Sequence, residues 1–350
     1  MKYDITFEPR TLHFRQPAGT SRGVYTERKI WIVSAVDTDD SSRRGVGECA
    51  PLPKLSCDDL PDYEQRLAKA CQMVATTGST DIDEVRRYPS ILFGLETALQ
   101  HCRRGSWQLT DTAFARGEEG IPINGLIWMG SFDEMNARIE DKLKQGFSCI
   151  KLKIGAIDFD SELALLQKIR SRYGKQSIQL RVDANGAFAP CDAMQRLEVL
   201  SRLDIHSIEQ PIRAGQWSEM ARLCRQTPLP IALDEELIGL NSKSEKAEMI
   251  DTVRPQYIVI KPSLHGGMQG TREWVAMADE RSIGSWLTSA LESNIGLNAI
   301  ANLTADIYGD NISFPQGLGT GALFTDNIEL DGCRLEIADC KLWAKNERKQ

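Results

Sequence analysis

The chain is poor in several features that would assign it quickly. It has four histidines in 350 residues, too scattered to form a metal pair. No apolar run approaches the roughly 18 residues of a membrane span. The opening "MKYDITFEPR" lacks the apolar core of a secretory signal, so a cytoplasmic location is expected. The nine cysteines are odd in number and include no C-x-x-C, which argues against a thiolate metal site or a disulfide framework and for reduced thiols in a core. Charge of one sign is also missing as a block. Net charge is −7 with acids and bases interspersed, so neither a nucleic-acid groove nor an anionic membrane is expected as a partner. What remains is a soluble globular chain whose partner is a small molecule.

The apolar residues that are present fall into two textures. Residues 1–50 hold β-rich runs, "DITFEPRTLHF", "RKIWIVSAVDTD" and "GVGECAP", with the polar "QPAGTSRG" (16–23) reading as a loop between the first two. Residues 58–75 and 89–104 carry apolar positions at helical spacing. The first unit is therefore α+β, over 1–115. From Ile121 onward short apolar runs alternate with amphipathic helices. The strand candidates are 121–128, 149–155, 177–185, 205–211, 230–236, 257–263, 282–290 and, more weakly, 311–317. Eight strands at this spacing predict a parallel α/β barrel over 116–318 rather than an open sheet. The tail, 319–350, is strand-like and is expected to pack back on the first unit.

In such barrels chemistry collects at the C-terminal ends of the strands. "CIKLKIG" puts Lys151 and Lys153 on one strand face, because residues i and i+2 point the same way. Two buried ammonium groups are costly unless an anion is near. Later strand ends supply it: "RVDAN" with Arg181, Asp183 and Asn185, "IEQP" with Glu209, "LDEE" with Asp234, and "IKP" with Lys261. From Lys153 the steps are 30, 26, 25 and 27 residues, one β/α unit each. Three carboxylates from adjacent strands would repel one another without a cation. Oxygen-only ligands favour a hard ion, Mg²⁺ first and Mn²⁺ as a substitute. Glu235, next to Asp234, and Glu292 are expected to be structural, and His206 and His265 are given no chemical role.

With "KLK", "DAN", "IEQP", "LDE" and "IKP" in order, the chain resembles the muconate-lactonizing branch of the enolase superfamily. That resemblance implies a (β/α)7β TIM barrel with an α+β N-terminal capping domain completed by the C-terminal tail. It also implies Lys153 as the base that removes a proton α to a carboxylate, Lys261 opposite it, and Lys151 as a nearby cation. "GTSRG", "SALESNIGL" and "GLGTGALF" are similar to the members of the branch that eliminate water. The branch's dipeptide epimerases, N-acylamino acid racemases and muconate cycloisomerases are the alternatives. Many epimerases carry an Asp-x-Asp pair near the eighth strand, and "GLGTG" has no acid. Thr20 and Arg22 in the capping loop, Ser289 near the seventh strand, Arg181 and Asn185 are the expected substrate contacts. Outside this branch, a Schiff-base lysine enzyme and a non-catalytic binding barrel remain as readings.

Overall fold

The computed structural model describes residues 2–20, 23–155 and 157–346. It begins with an antiparallel sheet of β1 (Tyr3–Thr20), β2 (Gly23–Asp37) and β3 (Arg44–Cys49), in that spatial order. Helices α1 (Tyr63–Thr77), α2 (Asp83–Arg86) and α3 (Pro89–Arg104) follow. Trp31, Val33 and Ala35 alternate along β2 and bury one sheet face against α1 and α3. Pro89 opens α3 at its first turn and Gly105, in the left-handed region, ends it. This helix lies so close on β3 that a methyl at Gly47 would run into the carbonyl of Gly94. Only glycine permits that approach.

The segment expected to be a loop, 16–23, is mostly strand. β1 continues to Thr20, and Ala18, Gly19 and Thr20 pair with Tyr25, Val24 and Gly23. A register irregularity between His13 and Ala18 accommodates the glycine- and proline-bearing stretch that composition alone assigns to a loop.

After α4 (Ala113–Arg116) and the two-residue β4 (Ile121–Pro122), strands and helices alternate regularly. In order they are β5 (Gly125–Ile127), α5 (Phe132–Lys144), β6 (Cys149–Lys153), α6 (Phe159–Arg172), β7 (Gln179–Asp183), α7 (Pro190–Ser201) and β8 (Ser207–Glu209). Then come α8 (Trp217–Gln226), β9 (Ile231–Leu233), α9 (Lys243–Val253), β10 (Tyr257–Ile260), α10 (Gly267–Asp279), β11 (Gly284–Leu287) and α11 (Asn294–Tyr308). Strands β5 to β11 form one parallel sheet in sequence order. Ile150, Leu152, Ile208, Ile231, Leu233, Ile258 and Ile260 turn toward the helices in the main core, while Ala232, Val259 and Trp286 form a separate small cluster. Such double burial explains why these strands read as short apolar runs.

The expected first barrel strand, 121–128, is split between β4 and β5, which belong to different sheets. The expected eighth strand shrinks to Gln316 and Gly317. They nevertheless touch both edges of the parallel sheet. Asn124 N–H donates to Gln316 O at 3.0 Å, and Gly317 N–H donates to Leu287 O at 2.8 Å. The tail then returns past β1, where Arg15 N–H donates to Leu323 O at 2.8 Å. A hairpin of β12 (Cys333–Ala338) and β13 (Lys341–Asn346) pairs with β4.

Candidate active site

The register of the parallel strands assembles the site. Lys153 on β6 lies opposite Asp183 on β7, and Asp183 opposite Glu209 on β8. Ile150 and Leu152 are packed against helices, so Lys151 and Lys153 point the other way, to the polar face. Lys151 Nζ sits 2.9 Å from Asp183 Oδ2 and 2.7 Å from Glu209 Oε2. Lys153 Nζ donates to Asp183 Oδ2 at 3.1 Å and to Asn185 Oδ1 at 2.9 Å. Across the sheet, Lys261 pairs with Asp234. Lys151, Lys153, Asp183, Asn185 and Lys261 all line one cavity, whose apolar walls include Leu52, Leu55, Trp128 and Leu291.

Burial works against the Lys151 charge, but Asp183 and Glu209 outweigh it and hold its pKa above the ordinary lysine value. Burial likewise opposes the Asp183 carboxylate, and Lys151 and Lys153 reverse the balance and lower its pKa. Glu209 behaves differently. Burial, then repulsion from Asp183, pushes it up to about 8, making it the acid of the trio that most readily holds a proton. Lys261 is raised: Asp234 and Glu209 overcome the penalty of burial.

Two residues support this cluster from behind. His265 Nδ1 accepts the Lys261 backbone N–H at 2.9 Å, and its Nε2 lies 3.8 Å from Asp234 Oδ1. Burial lowers its pKa to about 3, so the ring is neutral. Gln210 Oε1 accepts the backbone N–H groups of Asp234 and Glu236, both at 3.3 Å, and fixes the turn after β9. Neither role is visible as spacing in the sequence. The glutamine of "IEQP" was the one available signal.

Glu235 corrects an expectation. It lines the cavity and its Oε1 accepts from Asn185 Nδ2 at 2.9 Å. The strand ends at Leu233 and a 3-10 turn, Glu235–Leu237, follows, so strand alternation no longer governs where Glu235 points. Arg181 is a second correction. It lies on the same strand as Asp183 but one pleat deeper, and it does not line the cavity. Its guanidinium lies 4.6 Å from the Trp286 ring centroid and 4.2 Å from that of Phe314, and Nη1 donates to Pro315 O at 2.9 Å. It fills the sheet interior beneath the site. Ser289 lines the cavity and shares a 2.6 Å hydrogen bond with Thr320. Thr20 ends β1 opposite Gly23, and Arg22 lies outside the described residues. Glu292 is buried and accepts from Ser263 Oγ at 2.5 Å.

Asp183, Glu209 and Asp234 offer only oxygen, which suits a hard divalent cation. Glu209 Oε1 and Asp234 Oδ1 are buried with no hydrogen-bond partner. The donor set therefore fits Mg²⁺ chemically. Its arrangement differs from the expectation of three acids converging on one point: among the described residues, no three acid, imidazole or thiol groups are gathered to hold an ion. The physical reason is the pairing itself. Lys151 stands between Asp183 and Glu209 and Lys261 is drawn to Asp234, because buried carboxylates take the nearest available cation.

The class this fold and site define is an α/β enzyme with lysines paired to carboxylates at successive strand ends of a parallel sheet. Residues 134–336 match the family described as enolase C-terminal domain-like, and the chain belongs to that family. Residues 21–102 match the family described as MenC, N-terminal domain. The chain is 46% identical to an o-succinylbenzoate synthase of Desulfotalea psychrophila, over 93% of this chain and 95% of that one. The crystal structure of MenC from the same organism superposes with a TM-score of 0.81 at 40% identity, covering 98% of this chain and all of that one. A muconate lactonizing enzyme of Pseudomonas fluorescens, at 21% identity, shares the fold with a TM-score of 0.79 over 98% of this chain and 94% of that one.

Proposed function

We propose that this enzyme is an o-succinylbenzoate synthase, a hydro-lyase that removes water from 2-succinyl-6-hydroxycyclohexa-2,4-diene-1-carboxylate on the route to menaquinone. The observation that carries the reading is the 46% identity, which runs nearly end to end in both chains. We further read the sheet as a (β/α)7β barrel closed by Gln316 and Gly317, with 1–115 as its cap, 116–318 as the barrel and 319–350 as the returning tail. The bridges from these two residues to both sheet edges support that reading. Cys49, Cys71, Cys102, Cys149 and Cys224 are buried free thiols, consistent with a reducing cytoplasm.

Lys153 in its neutral form takes the proton from ring carbon 1. The electron pair left behind forms the bond to carbon 6 as the hydroxyl departs, and the ring becomes aromatic. Lys153, now an ammonium, returns the proton to that hydroxyl, and water leaves from the same face. Lys261, three strands further round the sheet from Asp183, supplies positive charge to the anion that develops. Asn185 orients Lys153 through its 2.9 Å hydrogen bond. Asp183, Glu209 and Asp234 would hold Mg²⁺, which when bound supplies Lewis-acid stabilisation to the substrate carboxylate. Leu52, Leu55 and Trp128 shield the reacting carbons from water.

The test is direct conversion of the cyclohexadiene to 2-succinylbenzoate, with and without EDTA. Conversion that stops with EDTA and returns with Mg²⁺ is the expected result. No conversion, with epimerisation of dipeptides instead, overturns the assignment. Activity indifferent to EDTA removes the metal from it.

A further inference from the structure

Arg28 on β2 is only 1% exposed and does not reach the cavity. Every hydrogen bond it donates goes to a backbone carbonyl, and the four carbonyls come from two separate loops. Nη2 donates to Ala50 O at 2.6 Å and Nη1 to Pro51 O. Nε donates to Leu291 O and Nη2 also to Ala290 O, both at 3.4 Å. The first pair begins the loop after β3, which supplies cavity-wall residues Leu52 and Leu55. The second pair belongs to the loop after β11 and lines the cavity itself. One planar fork thus ties the wall contributed by the N-terminal unit to the wall contributed by the parallel sheet.

Both loops hold backbone that is costly for ordinary residues. Lys54 has φ 63° and Leu291 has φ 65°, in the left-handed region. Such conformations persist only when surrounding groups enforce them. At Leu291 the enforcing groups are Arg28 on one side and Glu292 on the other, whose Oε2 accepts the Ala290 N–H at 2.6 Å. The buried guanidinium needs counter-charge, and Glu292 and Glu48 supply it without a direct ion pair to Arg28 in the structure. Nothing in this arrangement touches a reacting atom.

We propose that Arg28 is a positioning residue: by bridging the carbonyls of residues 50–51 and 290–291 it sets the gap between the two cavity walls and hence the fit of the substrate skeleton. This rests on the synthase reading above. It assigns Arg28 to binding rather than to proton transfer, because the groups it holds are walls and not Lys153 or Lys261.

The experiment uses Arg28→Lys in the full-length enzyme loaded with Mg²⁺. Lysine keeps the charge but cannot fork across two loops. We expect KM to rise about tenfold while kcat stays within about threefold, the pattern of lost uniform binding. The Kd of 2-succinylbenzoate, read by tryptophan fluorescence from cavity-lining Trp128 and Trp286, should rise in step, and that readout does not depend on turnover. A folded Arg28→Lys with unchanged KM and Kd overturns the proposal, as does one whose kcat falls at constant KM. Should that variant not fold, Glu292→Gln, which weakens the hold on the Ala290 N–H and removes part of the counter-charge to Arg28, is expected to raise Kd about threefold, and an unchanged Kd there overturns the proposal too. Absence of synthase activity in the unmodified enzyme sinks the functional reading instead, so the two failures are distinct.

Discussion

Lys153 is the residue on which the proposed chemistry turns, and its surroundings say how a substitution should act. It is held by Asp183 and Asn185 and packs no core of its own. We therefore expect Lys153→Ala to lower kcat by about 10³-fold or more, with an unchanged far-ultraviolet dichroism spectrum and melting temperature. Turnover within tenfold of the unmodified enzyme would end the proposed mechanism. Lys153, Asp183, Glu209, Asp234 and Lys261 could be found from sequence because each lies one β/α unit, 25 to 30 residues, from the next. Glu235 and Arg181 were misread for one shared reason. The period of two tells which face a residue takes, but not where the strand stops or how deep along it the residue lies. Glu235 falls past the end of β9, and Arg181 falls one pleat below the cavity.

Helix termini are where the acidic residues leave a measurable trace. Glu48 on β3 accepts from Ser293 Oγ at 2.5 Å and from Gly296 N–H at 3.0 Å at the start of α11. Glu96 on α3 accepts from Met268 N–H at 2.5 Å and Gln269 N–H at 3.1 Å at the start of α10. Burial raises both to about 7 despite these hydrogen bonds. In the unfolded chain a glutamate titrates near 4.5, so between these values the folded state binds the extra proton. Their contribution to stability is full below the unfolded value and is lost as pH rises through about 7. We expect the melting temperature to fall by roughly 5 °C between pH 5.5 and 8 from this source. Glu96→Gln should flatten that slope, and an unaltered slope in calorimetry would refute the account. The strands and helices of the repeating part were readable because buried parallel strands are short apolar runs between amphipathic helices. The stretch 16–20 was not, since proline and glycine there signal a turn, while pairing with β2 through a register irregularity keeps it extended.

At the scale of the whole molecule, the two edges of the parallel sheet are linked through very little chain. Gly317 approaches Thr288 so closely that a β-carbon there would meet the threonine's own Cβ at 2.5 Å and its Cα at 3.2 Å. Gly317→Ala should cost about 1–3 kcal/mol, seen as a lower guanidinium midpoint, together with reduced turnover because Ser289 and Thr320 sit beside it. A midpoint equal to that of the unmodified enzyme would show that the edges tolerate separation. The weak strand expected at 311–317 had no apolar repeat to announce it, because two backbone residues and no side-chain pattern do the joining. Neighbouring strands of the parallel sheet share two to five paired residues, whereas its two edges are joined at 316–317 by one pair of backbone links on either side. Edges joined so thinly have a seam, and thermal breathing will part them there first, letting solvent reach the Arg181 plug from the flank while the lysine-bearing strands stay zipped.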